Sequence, residues 1–199
     1  MNTKKQTATQ HLFTNKQLRT LLVPIMVEQL LSSLMGTADT MMVSNVGSAA
    51  ISAVSLVDAI NILVIQALSA LAAGGAILCS QYLGSQNLKK AKRSAEQVLF
   101  VMLVLSCSLS LLCLIFRFPL LRLIFGTVDT DVMANSQIYF FFTLLSFPFI
   151  GLYDAGASIL RAQNNTKGPM TISILSNFLN IGGNAILIFV FGMGVAGAA

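Results

Sequence analysis

An all-α fold, a polytopic membrane helix bundle, follows from three observations. Hydrophobic residues make up 55% of the 199 and charged residues only 10%, where a soluble domain carries about 25% charged residues, and the mean hydropathy is +0.79. Apolar stretches recur five times along the chain, each long enough for the ~20 residues a spanning helix needs. Ten of the twelve Lys and Arg residues fall in three short segments: Lys4, Lys5, Lys16 and Arg19; Lys89, Lys90, Lys92 and Arg93; Arg161 and Lys167. Only Arg117 and Arg122 lie elsewhere. That alternation is the pattern of the positive-inside rule, so the formal charge of +5 reflects orientation in a membrane and does not call for nucleic acid.

Residues 1–17 form a polar, basic leader expected to stay cytoplasmic. They carry the single histidine, His11, read as a solvated tail residue because no second ligand or base lies near it. No cleavable signal peptide is visible, since the apolar stretch that follows is too long and has no small-residue cleavage site.

The first helix is expected over residues 18–46. Glu28, Gln29, Ser32, Ser33, Gly36, Thr37 and Thr40 fall on an i, i+4 stripe with Asp39 at its margin. In lipid the polar stripe faces the bundle interior, which makes Glu28, Ser32 and Gly36 cavity-lining candidates. A charge at the centre of a spanning helix costs at least ~2.5–3.5 kcal/mol, and such a residue faces protein or a water-filled cavity. Asp39 is therefore the leading functional candidate. Pro24, near the cytoplasmic end, removes one backbone hydrogen bond and can bend the helix.

The second helix is expected over 50–83. Asp58 on it reads either as a second intramembrane acid or as a hydrated interfacial one, ten residues past the Gly47 turn. Ala70 to Ala76 is a small-residue patch suited to close helix packing. The stretch GSQNLKKAKR, residues 84–93, reads as a cytoplasmic loop. Its cations serve orientation or bind acidic lipid headgroups.

The third helix, 94–116, has no charge past Glu96 and reads as the most lipid-exposed. Residues 117–131 follow as an interfacial amphipathic turn broken by Pro119 and Gly126. The fourth helix, 132–162, is aromatic, with a kink expected at Pro148. Asp154 lies seven residues before Arg161 on the same face, where an ion pair or a cap is expected. After the loop RAQNNTKGP comes the fifth helix, 170–191, with Ser173, Ser176, Asn177, Asn180 and Asn184 on one stripe. Three amides on one face are costly without partners. They act either as interhelical glue or as a wall of the cavity that Asp39 faces.

Cys79, Cys107 and Cys113 all lie in apolar segments and match no metal or redox spacing. No His/Glu ligand set, Ser/His pair or Cys/His pair lies within the spans, so an enzyme is not expected, nor a cofactor or metal. The end of the chain, GMGVAGAA, reads as a loop entering a sixth helix.

These residues resemble the MATE family of multidrug and toxic compound extrusion transporters. The resemblance rests on MGTADTMMVSNVG after the Pro24 helix, SQYLGSQN before the basic run, LRAQNNTKGPM, and NFLNIGGNAILIF with GVAGAA after it. It covers Pro24 to Ala199. It implies a fold of two six-helix lobes and export of cationic lipophilic small molecules by antiport of H⁺ or Na⁺ through alternating access. This chain would supply a partial N-terminal lobe over residues 18–199, lacking its C-terminal partner lobe, in the plasma membrane with its surrounding lipids.

By the same resemblance Asp39 matches the first-helix acid thought to bind the coupling cation, Pro24 the proline that bends with protonation in some members, and Asn180 a fifth-helix asparagine in the same cavity. Asn184 departs from the pattern, because the DinF-like branch typically has an aspartate there and an amide takes up no proton. Met35, Met41 and Met42 suit a permissive apolar pocket or ordinary packing. Two other readings remain at this point. A lipid-linked oligosaccharide flippase of the same superfamily would want a cationic cavity, and intramembrane Lys and Arg are scarce here. A non-transporting truncated remnant would leave the polar faces uncovered.

Overall fold

The computed structural model describes residues 15–198. His11 and the leader as far as Thr14 lie outside them. Five long helices are each long and apolar enough to cross a membrane: α1 (Asn15–Ser44), α2 (Ser48–Gly84), α3 (Leu88–Ile115), α5 (Thr130–Ala162) and α6 (Lys167–Ala185). Between them lies α4 (Arg117–Phe125), and a π-helical turn (Ile186–Val190) extends α6 before the short α7 (Val195–Ala198). Among the described residues there is no strand.

Several boundaries differ from those expected, and α2, α5 and α6 each start two or three residues early. Residues 84–93 are not a loop: α3 begins at Leu88 and carries Lys89, Lys90, Lys92 and Arg93 on its first two turns. Asn87 makes this possible, its side-chain oxygen accepting the Lys90 backbone N–H at 3.1 Å, and the straight-chain basic residues that follow are good helix formers. Likewise α1 begins at Asn15, so the end of the expected leader belongs to the helix. The expected turn after residue 116 is the helix α4, stopped by Gly126, whose φ of 62° is the left-handed region glycine enters without steric cost.

Helices α2 and α5 form the central pair, α3 lies across both, and α1 pairs with α6. The main core sits between α2 and α5, around Val57, Phe140, Leu144 and Phe147, with Leu121 of α4 closing it. A smaller cluster of Leu68, Ala72, Met102 and Ala155 continues it toward the other end. Small residues let these helices approach. Gly75 of α2 faces Val98 of α3 so closely that an added Cβ would lie 2.5 Å from a valine methyl. The small-residue patch on α2 thus serves helix packing. Outward-facing Leu, Ile and Phe remain exposed on every long helix, as a lipid-facing surface requires.

Both mid-helix prolines are accommodated by a hydroxyl from a neighbouring segment. A proline has no N–H for the carbonyl four residues earlier. Ser110 of α3 donates to the Leu144 carbonyl, four before Pro148, at 2.6 Å. Thr166, on the α5–α6 connection, donates to the Thr20 carbonyl, four before the buried Pro24, at 3.3 Å. In a membrane, where water cannot serve those carbonyls, such side chains keep the helices continuous.

Candidate functional site

The turn at Gly47 marks one end of the bundle; Lys89, Lys90, Lys92, Arg93, Arg161 and Lys167 gather at the other. Asp39 lies five residues before the end of α1, about 8 Å from that end at 1.5 Å per residue, on the side of the Gly47 turn. Half-buried, it faces α6, where the Asn184 amide donates to its Oδ1 at 2.8 Å. The second Asn184 N–H goes to Asn180 Oδ1 at 3.2 Å. Asp39, Asn180 and Asn184 are thus one hydrogen-bonded chain joining α1 to α6. Asn184 is itself buried, and the π-helical turn starts two residues after it, at Ile186. Asn177, two turns earlier on α6, is also buried, and its amide nitrogen has no partner among the described residues.

The polar stripe of α1 divides in two. Ser32, Ser33, Gly36, Thr37 and Thr40 are exposed, and Ser33, Gly36, Thr37, Thr40, Met41 and Ser44 line a shallow concavity on the open side of α1. Thr37 and Thr40 donate to carbonyls one turn earlier, at 3.0 and 2.9 Å, and Ser44 to the Met41 carbonyl at 2.7 Å. Each hydroxyl therefore presents only acceptor capacity to whatever faces it. Glu28 does not join this open face. It is 8% exposed and accepts from Arg161 at 2.8 Å and from the Tyr153 hydroxyl at 3.0 Å, both on α5.

The expected Asp154–Arg161 pairing is accordingly replaced. Arg161 reaches across to α1, and Asp154 instead accepts the Ser69 hydroxyl of α2 at 2.6 Å. Residues one or two turns apart on a helix do share a face, but Glu28 brings Arg161 a buried carboxylate that also accepts from Tyr153, whereas Asp154 is served by Ser69. Asp58 is half-buried against α5 and accepts from the Tyr139 hydroxyl at 3.0 Å. Tyr139 and Tyr153, aromatic residues within the fourth predicted span, carry no local signal beyond a phenol in an apolar run. What singles them out is a carboxylate on another helix.

The MatE family profile matches residues 24–186. This chain belongs to the MatE family. It is 33% identical over 181 residues, 88% of its length, to the uncharacterized transporter YisQ of Bacillus subtilis (strain 168), covering 39% of that protein. It is 28% identical over 92% of its length to the probable multidrug resistance protein NorM of Thermotoga maritima, covering 40% of it. Among solved structures, a multidrug resistance MATE family transporter of the MOP superfamily in an outward-facing conformation superposes with a TM-score of 0.85 at 26% identity, over 92% of this chain and 40% of that one. The chain thus spans about 40% of the length of the relatives it matches. MatE proteins are multi-pass membrane transporters, and the five apolar spans of this chain accord with that.

Proposed function

We propose that this MatE chain works as the N-terminal lobe of a plasma-membrane exporter in which inward movement of a compact cation, H⁺ or Na⁺, drives outward movement of lipophilic cations, with its N-terminus cytoplasmic. The reading is one of transport rather than catalysis. The observation that carries it is the 2.8 Å contact of Asp39 with Asn184. A carboxylate in an apolar span is held there by a single neutral amide, with no basic residue within 4 Å among the described ones.

A carboxylate withdrawn from water favours its neutral, protonated form or a bound cation. Loading and unloading Asp39 from opposite sides would change how firmly α1 is tied to α6, and a ligand biases a two-state protein only through such differential contacts. The exposed face of α1, with Ser32, Gly36, Thr37 and Met41, would line the substrate path opposite a C-terminal lobe. The reading is tested by efflux of a cationic dye from cells producing this chain joined to a second lobe. Asp39→Asn keeps the shape and removes the charge, and is expected to abolish cation-driven efflux while membrane insertion stays intact. Unchanged dye export by that variant refutes the assignment.

A further inference from the structure

The basic residues at the start of α3 stand at the head of a groove. It runs between α2 and α3, encloses about 200 Å³, and is lined by Leu71, Gly75 and Leu78 from α2 and by Val98, Val101 and Leu105 from α3. The two helices meet at Gly75 and Val98, while Leu71, Leu78 and Val101 are exposed, so the groove is apolar and open on its outer side. Its polar lining, Ser94 and Gln97, lies at the basic end. Tyr82 continues the α2 wall, since 71, 75, 78 and 82 follow at spacings of three and four, and Lys90 continues the α3 wall one turn before Ser94. The two walls meet there, with Lys90 Nζ 6.0 Å from the centroid of the Tyr82 ring. From Tyr82 to Leu71 the wall rises about 16 Å, close to the ~15 Å that one leaflet contributes to a bilayer's hydrocarbon core.

Charge at this end of the groove is one-sided. Glu96, the one acid on the first turns of α3, pairs with Lys92 at 3.9 Å. Lys92 and Ser94, two positions apart, lie on opposite sides of a helix with 3.6 residues per turn, so that pair sits away from the groove, and Lys89 shares its side. Lys90 and Arg93, one turn before Ser94 and Gln97, have no carboxylate within 4 Å among the described residues. The positive end of the α3 dipole adds to the same sign. Lysine and arginine stems run along apolar surface and hold their charge at the membrane interface, the depth that tyrosine rings also favour. An apolar channel one leaflet deep, headed by two unpaired cations and a phenol, matches an acyl chain that carries an anionic head. A zwitterionic lipid would fill the channel but bring its own cation to the two already there.

We propose that the α2–α3 groove is a binding site for one anionic phospholipid, with an acyl chain along Leu71, Gly75, Leu78 and Val101 and the phosphate at Lys90 and Arg93. The lipid belongs to the leaflet at the basic end of the bundle, the cytoplasmic leaflet in the orientation proposed above. The inference requires only that the chain lie in a membrane, and it is independent of the ion that Asp39 takes up.

Native mass spectrometry of the chain in detergent, titrated with dioleoyl phosphatidylglycerol, tests this, with dioleoyl phosphatidylcholine as the zwitterionic control. Phosphatidylglycerol should bind more tightly, and Lys90→Gln with Arg93→Gln should weaken it about 25-fold, roughly fivefold per cation. Lys89→Gln with Lys92→Gln removes as much charge away from the groove and should leave that affinity largely unchanged. Val101→Trp fills the groove with every cation in place and should also weaken binding. Leu78→Trp does the same from α2 and carries the test if the Val101 variant loses its helical circular dichroism. Equal losses from the two charge pairs would mean a diffuse basic surface, and full affinity in both tryptophan variants would mean that no chain lies in the groove. Displacement by inorganic phosphate would mean an anion site without a lipid. Each of these overturns the proposal. So does phosphatidylcholine binding as tight as that of phosphatidylglycerol, or loss of the lipid when the chain is joined to a second lobe or pairs with a second copy, since the groove would then be a protein contact.

Discussion

The Thr166 hydroxyl donates to the Thr20 carbonyl at 3.3 Å, and that carbonyl is the one Pro24 leaves without an amide partner. The bend-prone residue of α1 is thereby tied to the α5–α6 connection, 146 positions away. With Thr166 only 4% exposed, no water competes readily for the bond.

Thr166→Val keeps the shape and removes the donor. It is expected to lower stability by about 1 kcal/mol, the net value of one hydrogen bond, and to speed amide exchange in the first turns of α1. In a Pro24→Ala background, where the backbone N–H returns, the same substitution should cost nothing measurable. A thermal-unfolding double-mutant cycle in detergent checks this. Additive effects would show that the hydroxyl does not serve the proline-freed carbonyl.

The Glu28–Arg161 pair is the only cross-helix ion pair among the described residues. It clamps α1 to α5 four residues beyond Pro24. Arg161→Met should destabilise by on the order of 2 kcal/mol, less than the ~3–5 of a wholly buried pair, because the Arg161 side chain keeps 36% of its exposure. Glu28→Gln combined with Arg161→Met should recover part of that loss, since no buried charge is then left alone. A double variant as unstable as the sum of the singles would contradict the clamp.

Packing at Gly75 makes a sharper demand. An added Cβ would meet a Val98 methyl at 2.5 Å, and a β-branched valine on a helix has no second rotamer to retreat into. Gly75→Ala should therefore cost about 1–3 kcal/mol, and Val98→Ala should rescue it. The reading is wrong if Gly75→Ala alone leaves the melting temperature unchanged.

Asp154 gives a smaller effect that separates it from Arg161. Ser69→Ala removes the 2.6 Å donor to Asp154 and should lower stability by roughly 1–2 kcal/mol. Arg161→Met should add to that loss rather than replace it. Strong non-additivity between Ser69 and Arg161 would mean that Asp154 depends on the arginine after all.

Several features were legible in the order of residues. The spans were, because a bilayer admits only helices or closed barrels and asks each helix for a long apolar run. The start of α3 was not, because the run from Lys89 to Arg93 reads as a charged loop, whereas Asn87 caps it and its residues favour helix. Asp39 stood out through its cost alone. Its partner Asn184, on the far side of four other helices, showed only as one of three amides on a stripe.

The class of fold, the number of spans, the acid on α1 and the prolines that needed outside help could all be read from residue order, because each depends on composition or on neighbours within a turn. Tertiary structure alone decided the pairings: Arg161 with Glu28 and not Asp154, Tyr139 with Asp58, Thr166 with Thr20. Those depend on how each helix is rotated about its axis, and packing across the bundle sets that rotation. In a medium that offers polar groups no water, the partner each one finds is whichever the packed helices bring within about 3 Å.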